Sequence, residues 1–357
     1  MHLRFSNTTR RGMYMTTPSS LSSVTRHIPW SGIITSDLAT SISEGTEFVV
    51  GDPELVASLD AGAGAAVAGT SNVHQLWPPP EGNRRTELDV VLFHGLQLTA
   101  NDTSDAWSST WTQRGHDDVC WPQKWLPLDL GEAVRIFSVS YNAHVVTSPH
   151  GHVSEIADNL FQTLFNPRYE WHHPIVLIGH SFGGLVLKSM VVKLKTKQYC
   201  TDDWSKATYQ CAERFLSNVR GVAFYAVPHA GSSNIAKYVK KLLRCNNRHH
   251  PGIVDNIRPW QRDMEELSVD FDDIVNGNKI NIYAFCEGRP MEQVGILVDF
   301  SSAQRSAGKN CYKVEDANHM EVCKPPSKEH PSYTLLLQFI ITCGKVSFND
   351  LVSVIFH

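Results

Sequence analysis

The chain has 357 residues, 42% of them hydrophobic and 19% charged, with a formal net charge of -4. That is the composition of a soluble globular protein with no excess of positive charge, so nucleic acid is not an expected partner. Eight cysteines without a C-x-x-C pair and 17 histidines without an H-E-x-x-H spacing point away from a zinc ribbon, a disulfide scaffold or a metal centre, and toward reduced thiols in an intracellular compartment.

Residues 1–36 carry Arg4, Arg10, Arg11 and Arg26, about a dozen serines and threonines, and no Asp or Glu. This is transit-peptide composition, read either as an address to a mitochondrion or chloroplast or as a tail with no address in a cytoplasmic protein. Residues 37–86 show weak apolar patterning. Ala61–Gly69 is rich in small residues, and the prolines at 78–80 break any element, so residues 1–86 read as an irregular extension and 87–357 as the folded domain.

The first expected strand, Leu88–Phe93, runs into His94-Gly95-Leu96. A strand leading into His-Gly is where serine hydrolases with a parallel sheet place one oxyanion loop, because glycine lets the backbone turn its N–H groups toward a substrate carbonyl. A tryptophan-rich insertion follows, with Trp107, Trp111, Trp121 and Trp125, whose indoles are expected to pack rather than to bind acyl chains. Val134–Tyr141 is a further strand. Val153, Ile156, Ala157, Leu160, Phe161 and Leu164 have helical spacing.

Pro174 then precedes Ile175-Val-Leu-Ile178, an apolar run suited to a strand buried on both faces. It ends in Gly179-His-Ser-Phe-Gly183, the G-x-S-x-G spacing of a nucleophile elbow, and a mostly apolar helix from Leu185 to Leu194 follows. Ser181 is therefore the expected nucleophile, and the N–H groups of Leu96 and Phe182 the expected oxyanion donors. The succession of strand, helix, strand, elbow and helix points to a parallel sheet covered on both faces.

Val219–Val227 is the next strand, ending beside His229, read as structural. Residues 232–278 form an insertion long enough to be a lid. It contains an amphipathic helix with Ile235, Tyr238, Val239, Leu242 and Leu243 on one face and Lys237, Lys240, Lys241 and Arg244 on the other. The basic face suits solvent first and peripheral contact with an anionic membrane surface second. Lys279–Phe285 is expected as a strand with Glu287 just past its end; Asp299 follows the apolar run Val294–Val298. Cys311–Val314 is a last short strand, and His319 comes after it. Serine, acid, histidine is the chain order of α/β-hydrolases, with Glu287 or Asp299 as the acid. Tyr333–Cys343 is too short to span a membrane and reads as a buried closing helix.

Together, His94-Gly95-Leu96, Cys120-Trp-Pro-Gln-Lys-Trp-Leu-Pro127, Gly179–Gly184, Phe224-Tyr-Ala-Val-Pro-His229, and Asn318-His319 with Val322-Cys-Lys-Pro325 resemble the serine-active-site-containing protein family, a branch of the α/β-hydrolases near the GPI inositol-deacylase type of esterase. The resemblance covers residues 88–340. It implies a mostly parallel sheet of about eight strands with helices on both faces, no cofactor, and hydrolysis of lipid or other carboxylic esters; animal members are associated with phospholipid remodelling at mitochondria and endoplasmic reticulum. Many α/β-hydrolases have an aspartate where this chain has Glu287. Glu287 is preferred to Asp299 because a carboxylate at that strand end can reach the histidine. A transacylase and a small-molecule receptor with weak turnover are the rival functions.

Overall fold

The structure, a computed structural model, describes residues 71–78, 86–97, 102–113, 119–145, 148, 152–198, 205–245, 262–292 and 294–344. The transit-like segment and Ala61–Gly69 lie outside these residues, as do the side chains of Leu242, Leu243 and Arg244.

Seven strands among the described residues form one sheet: β1 (Asn72–Trp77), β2 (Leu88–Phe93), β3 (Val134–Ser140), β4 (Ile175–His180), β5 (Val219–Tyr225), β6 (Asn281–Glu287) and β7 (Cys311–Val314). Their spatial order is β1-β3-β2-β4-β5-β6-β7, and every pairing is parallel except β1 with β3. The two central strands β2 and β4 are buried along their whole length, as their uninterrupted apolar runs require. β1 corrects one expectation. Residues 72–77, read as part of an irregular extension, pair antiparallel with β3 and bury Val73 and Leu76 against the core.

Among the described residues six helices of three turns or more accompany the sheet: α1 (Val153–Leu164), α2 (Phe182–Thr196), α3 (Lys206–Asn218), α4 (Ser233–Cys245), α5 (Arg262–Asn278) and α6 (Pro331–Gly344). Ile156, Val186, Phe215, Val239 and Phe271, one from each of α1 to α5, share a single hydrophobic cluster on one face. Leu336 of α6 lies in the cluster on the other face with Trp121 and Leu126 from two short helices. α4 and α5 bound the expected insertion; the residues between them, 246–261, lie outside the described ones.

A paired charge fixes the register of β2 against β3. Asp89 and Arg135 are opposite one another, and both carboxylate oxygens accept from the guanidinium, at 2.7 and 2.9 Å. Burial raises the Asp89 pKa even against the pull of Arg135, so the carboxylate depends on that partner.

The tryptophans pack, as expected. Trp111 and Trp121 are fully enclosed and meet edge to face at 6.2 Å. The Trp121 indole N–H donates to the Cys323 carbonyl at 2.9 Å. The Cys120–Pro127 segment thus braces the Cys-Lys-Pro segment that follows His319, although some 200 residues separate them.

Candidate active site

The site is assembled where β4, β5, β6 and β7 end. Ser181 sits in the turn between β4 and α2 at φ 50° and ψ -125°, a left-handed backbone that a residue with a Cβ adopts only under constraint. Its N–H donates to the Tyr225 carbonyl at 2.8 Å, tying the turn to β5.

Two glycines let the chain come this close. A Cβ on Gly183 would lie 2.2 Å from the His94 carbonyl oxygen and 2.4 Å from that of Phe93. A Cβ on Gly184 would lie 2.2 Å from a Val227 methyl. The helix therefore starts directly against the end of β2, and its amide end faces the serine.

The hydrogen-bonded series runs outward from Ser181. The His319 Nε2 is 2.8 Å from the Ser181 Oγ, and the His319 Nδ1 is 3.1 Å from the Glu287 Oε1. Glu287 also accepts from the backbone N–H of Val298 at 2.6 Å and of Leu297 at 3.3 Å. All three side chains are buried, with Ser181 5% and His319 4% exposed, so the series is shielded from bulk water. With Nδ1–H directed at a carboxylate, Nε2 presents its lone pair to the serine hydroxyl, the arrangement that can take a proton from it.

Of the two carboxylates, the structure brings Glu287 to the histidine. It is the last residue of β6, not one beyond it. Asp299 is exposed, at the start of the short helix Phe300–Ala303, and makes no side-chain cap there.

His94-Gly95-Leu96 runs beside the serine. A Cβ on Gly95 would sit 3.2 Å from the Ser181 Cβ, and Gly95 and Leu96 line the same cavity as the serine. The loop is held by Tyr141. Its ring stacks on His94 at 4.0 Å, its hydroxyl donates to the His94 carbonyl, and its N–H donates to the His94 Nε2. Phe182 is the first residue of α2, and its ring is buried in the core.

Sequence reasoning passed over His180 and Tyr141. His180, the variable residue before the nucleophile, lies 2.9 Å through Nε2 from the His319 carbonyl. Burial, with the neighbouring His319 second, lowers its pKa to about 3, so the ring is neutral and its Nε2–H donates. Only the placement of the two loops in space discloses that contact. His229, expected to be structural, is fully enclosed against the Phe224 ring at 4.6 Å, and burial pushes its pKa well below the ordinary value.

Ser181 and His319 open onto a small, mainly apolar cavity whose roof is α4, through Ile235, Tyr238 and Val239, with Leu96 and Leu297 on the walls. Among the described residues no group of His, Cys, Asp or Glu is arranged to hold a metal, and no helix is long and apolar enough to cross a membrane.

No protein-family model matches the chain. It is 25% identical over 298 residues to Protein SERAC1 of Bos taurus and 26% identical over 299 residues to Protein SERAC1 of Homo sapiens, each alignment covering 75% of this chain and 41% of the relative. The chain thus spans about two fifths of the length of the curated relatives it matches. Among solved structures it is similar to the lipase BlEst2 of Bacillus licheniformis, with 15% identity and a TM-score of 0.45 over 76% of this chain and 99% of that one. The antiparallel β1 beside β3, the crossing of β3 over β2, and a strand–serine–helix turn on the central strand are the marks of one architecture. The chain has the α/β-hydrolase fold.

Proposed function

We propose that the chain is a serine hydrolase of carboxylic esters, lipid esters in particular, working through an acyl-enzyme on Ser181. The observation that carries this reading is the continuous series Ser181 Oγ, His319 Nε2 at 2.8 Å, and His319 Nδ1 to Glu287 at 3.1 Å, on an α/β-hydrolase sheet. In this reading His319 removes the Ser181 proton as the hydroxyl attacks the ester carbonyl, then returns it to the leaving alcohol. Water repeats the cycle in reverse to release the acid. Glu287 keeps the imidazole in the tautomer with hydrogen on Nδ1 and offsets the positive charge that develops on the ring. Leu96 and Phe182 amides stabilise the oxyanion, to which the first turn of α2 adds its dipole.

An acyl substrate is supported by the apolar lining from Ile235, Val239 and Leu297. The basic outer face of α4, including Lys237, suits contact with an anionic lipid surface. The name SERAC1 belongs to the longer relatives; what carries over is the expectation of lipid chemistry that the motifs imply.

A fluorophosphonate probe, which esterifies activated serines, tests the assignment. Full-length protein should be labelled at Ser181 and hydrolyse a short p-nitrophenyl ester, and Ser181→Ala should lose both. Unchanged hydrolysis by Ser181→Ala would remove the nucleophile from this reading.

A further inference from the structure

Cys286 and Cys311 lie on the neighbouring strands β6 and β7, apart from the Ser181 cavity. Ala284 is paired with Cys311 and Cys286 with Lys313, so the cysteines are diagonal neighbours across a parallel pair. Their sulfurs are 2.9 Å apart. That is only roughly 0.9 Å more than the length of a disulfide bond, about 2.05 Å. The side chains therefore point at one another, one of the conditions for cross-linking.

The two thiols differ in a useful way. Cys286 is fully buried, whereas Cys311 is partly exposed on the strand at the end of the sheet. The contact with Cys286 holds the Cys311 thiol below its ordinary pKa, while the same contact, aided by burial, raises that of Cys286. Cys311 is accordingly the more accessible and more acidic of the two thiols, and Cys286 the thiol waiting behind it. Among the described residues the other free cysteines do not share this setting: Cys120, Cys211, Cys323 and Cys343 are buried, and burial raises the pKa of each.

The position matters as much as the chemistry. Cys286 immediately precedes Glu287, and Cys311 begins the strand whose exit leads to His319. A bond between them would join the strand presenting the carboxylate to the strand leading to the imidazole.

We propose that Cys286 and Cys311 form a peroxide-responsive dithiol that closes into a disulfide stapling β6 to β7. The Cys311 thiol attacks the O–O bond of hydrogen peroxide and becomes a sulfenic acid, releasing one water. The Cys286 thiol then attacks the Cys311 sulfur, and the hydroxyl leaves with the Cys286 proton as a second water. Two thiols are oxidised to one disulfide and one peroxide is reduced to two waters.

The test uses the reduced full-length chain, exposed to hydrogen peroxide, alkylated, digested and examined by mass spectrometry. The expected result is a single cross-linked peptide pair containing Cys286 and Cys311, with two fewer alkylatable thiols. The thermal midpoint should rise by several degrees and return when a dithiol reductant is added. Cys286→Ser and Cys311→Ser should each abolish the cross-link, and Cys211→Ser should retain it. Alkylation of both cysteines after peroxide treatment, arrest of Cys311 as an over-oxidised acid, or a cross-link to a different cysteine would each overturn the proposal. The wild-type spectrum decides this even if a serine variant fails to fold, and none of these readouts depends on ester hydrolysis.

Discussion

Glu287→Gln is the sharpest probe of the site, because the substitution changes charge while nearly preserving shape. Glu287 accepts from three donors: the His319 Nδ1–H at 3.1 Å, the Val298 N–H at 2.6 Å and the Leu297 N–H at 3.3 Å. A glutamine can turn its oxygen to the side shared by His319 and Val298. Its amide nitrogen then faces the Leu297 N–H, donor against donor. The structural cost is one weak buried bond, about 1 kcal/mol. The chemical cost is larger, since the imidazolium formed during acyl transfer loses its countercharge in a buried site. About a thousandfold loss in kcat, equivalent to about 4 kcal/mol, is the expected outcome. Asp299→Asn, changing an exposed carboxylate, should stay within about threefold. Initial rates on a short p-nitrophenyl ester, with thermal midpoints measured in parallel, separate chemistry from stability. A larger loss at Asp299 than at Glu287, in variants that both remain folded, would refute the reasoning.

Three further outcomes follow from contacts away from the reacting atoms. Gly183→Ala drives a methyl into the His94 carbonyl at 2.2 Å and should cost about 3 kcal/mol in urea denaturation; a cost below about 0.5 kcal/mol would mean that the elbow is not crowded there. Arg135→Met strands the buried Asp89 carboxylate and should cost about 3–5 kcal/mol by the same measurement, whereas a neutral result would show that the pair contributes little to holding β2 and β3. Lys188 is wholly buried, with its ammonium 2.9 Å from the Ser306 hydroxyl, and burial lowers its pKa to about 7. Because the unfolded chain keeps this proton up to the ordinary lysine pKa of about 10.4 while the folded one releases it near 7, the unfolded state binds more protons in between. This group's contribution to stability therefore rises with pH from about 7 toward about 10.4, and Lys188→Met should flatten that rise in thermal midpoints taken at pH 7 and pH 9.

Much of the architecture was legible because the informative stretches combine period with punctuation. The helical spacing from Val153 specified α1 to the residue, and the apolar run Ile175–Ile178 specified the start of β4, which continues two residues further to His180. β1 was hidden because Asn72–Trp77 mixes polar and apolar positions next to a proline cluster, and only its pairing with β3 makes it a strand. β6 is displaced by two residues from its expected span because Lys279 adopts φ 56° just after α5, and the strand begins beyond that turn. Spacing chose the acid only weakly, since Glu287 and Asp299 both follow apolar runs and only the strand-end position favoured Glu287. What separates them is which one the fold sets against the histidine. Tyr141 and His180 carried no local signal, because their relation to the site exists only between strands distant in sequence.

The setting of Glu287 also makes its length part of the design. The residue stands within a paired strand, opposite Val314, while two amides of the 297–298 segment grip its carboxylate from the far side. An aspartate there would retract the oxygens by one carbon–carbon bond, about 1.5 Å, while its pairing with Val314 holds the backbone in place. The two acidic side chains, interchangeable on most surfaces, are different parts here. The longer arm compensates for an anchor point set one step back inside the sheet, so chain geometry and acid identity can change only together.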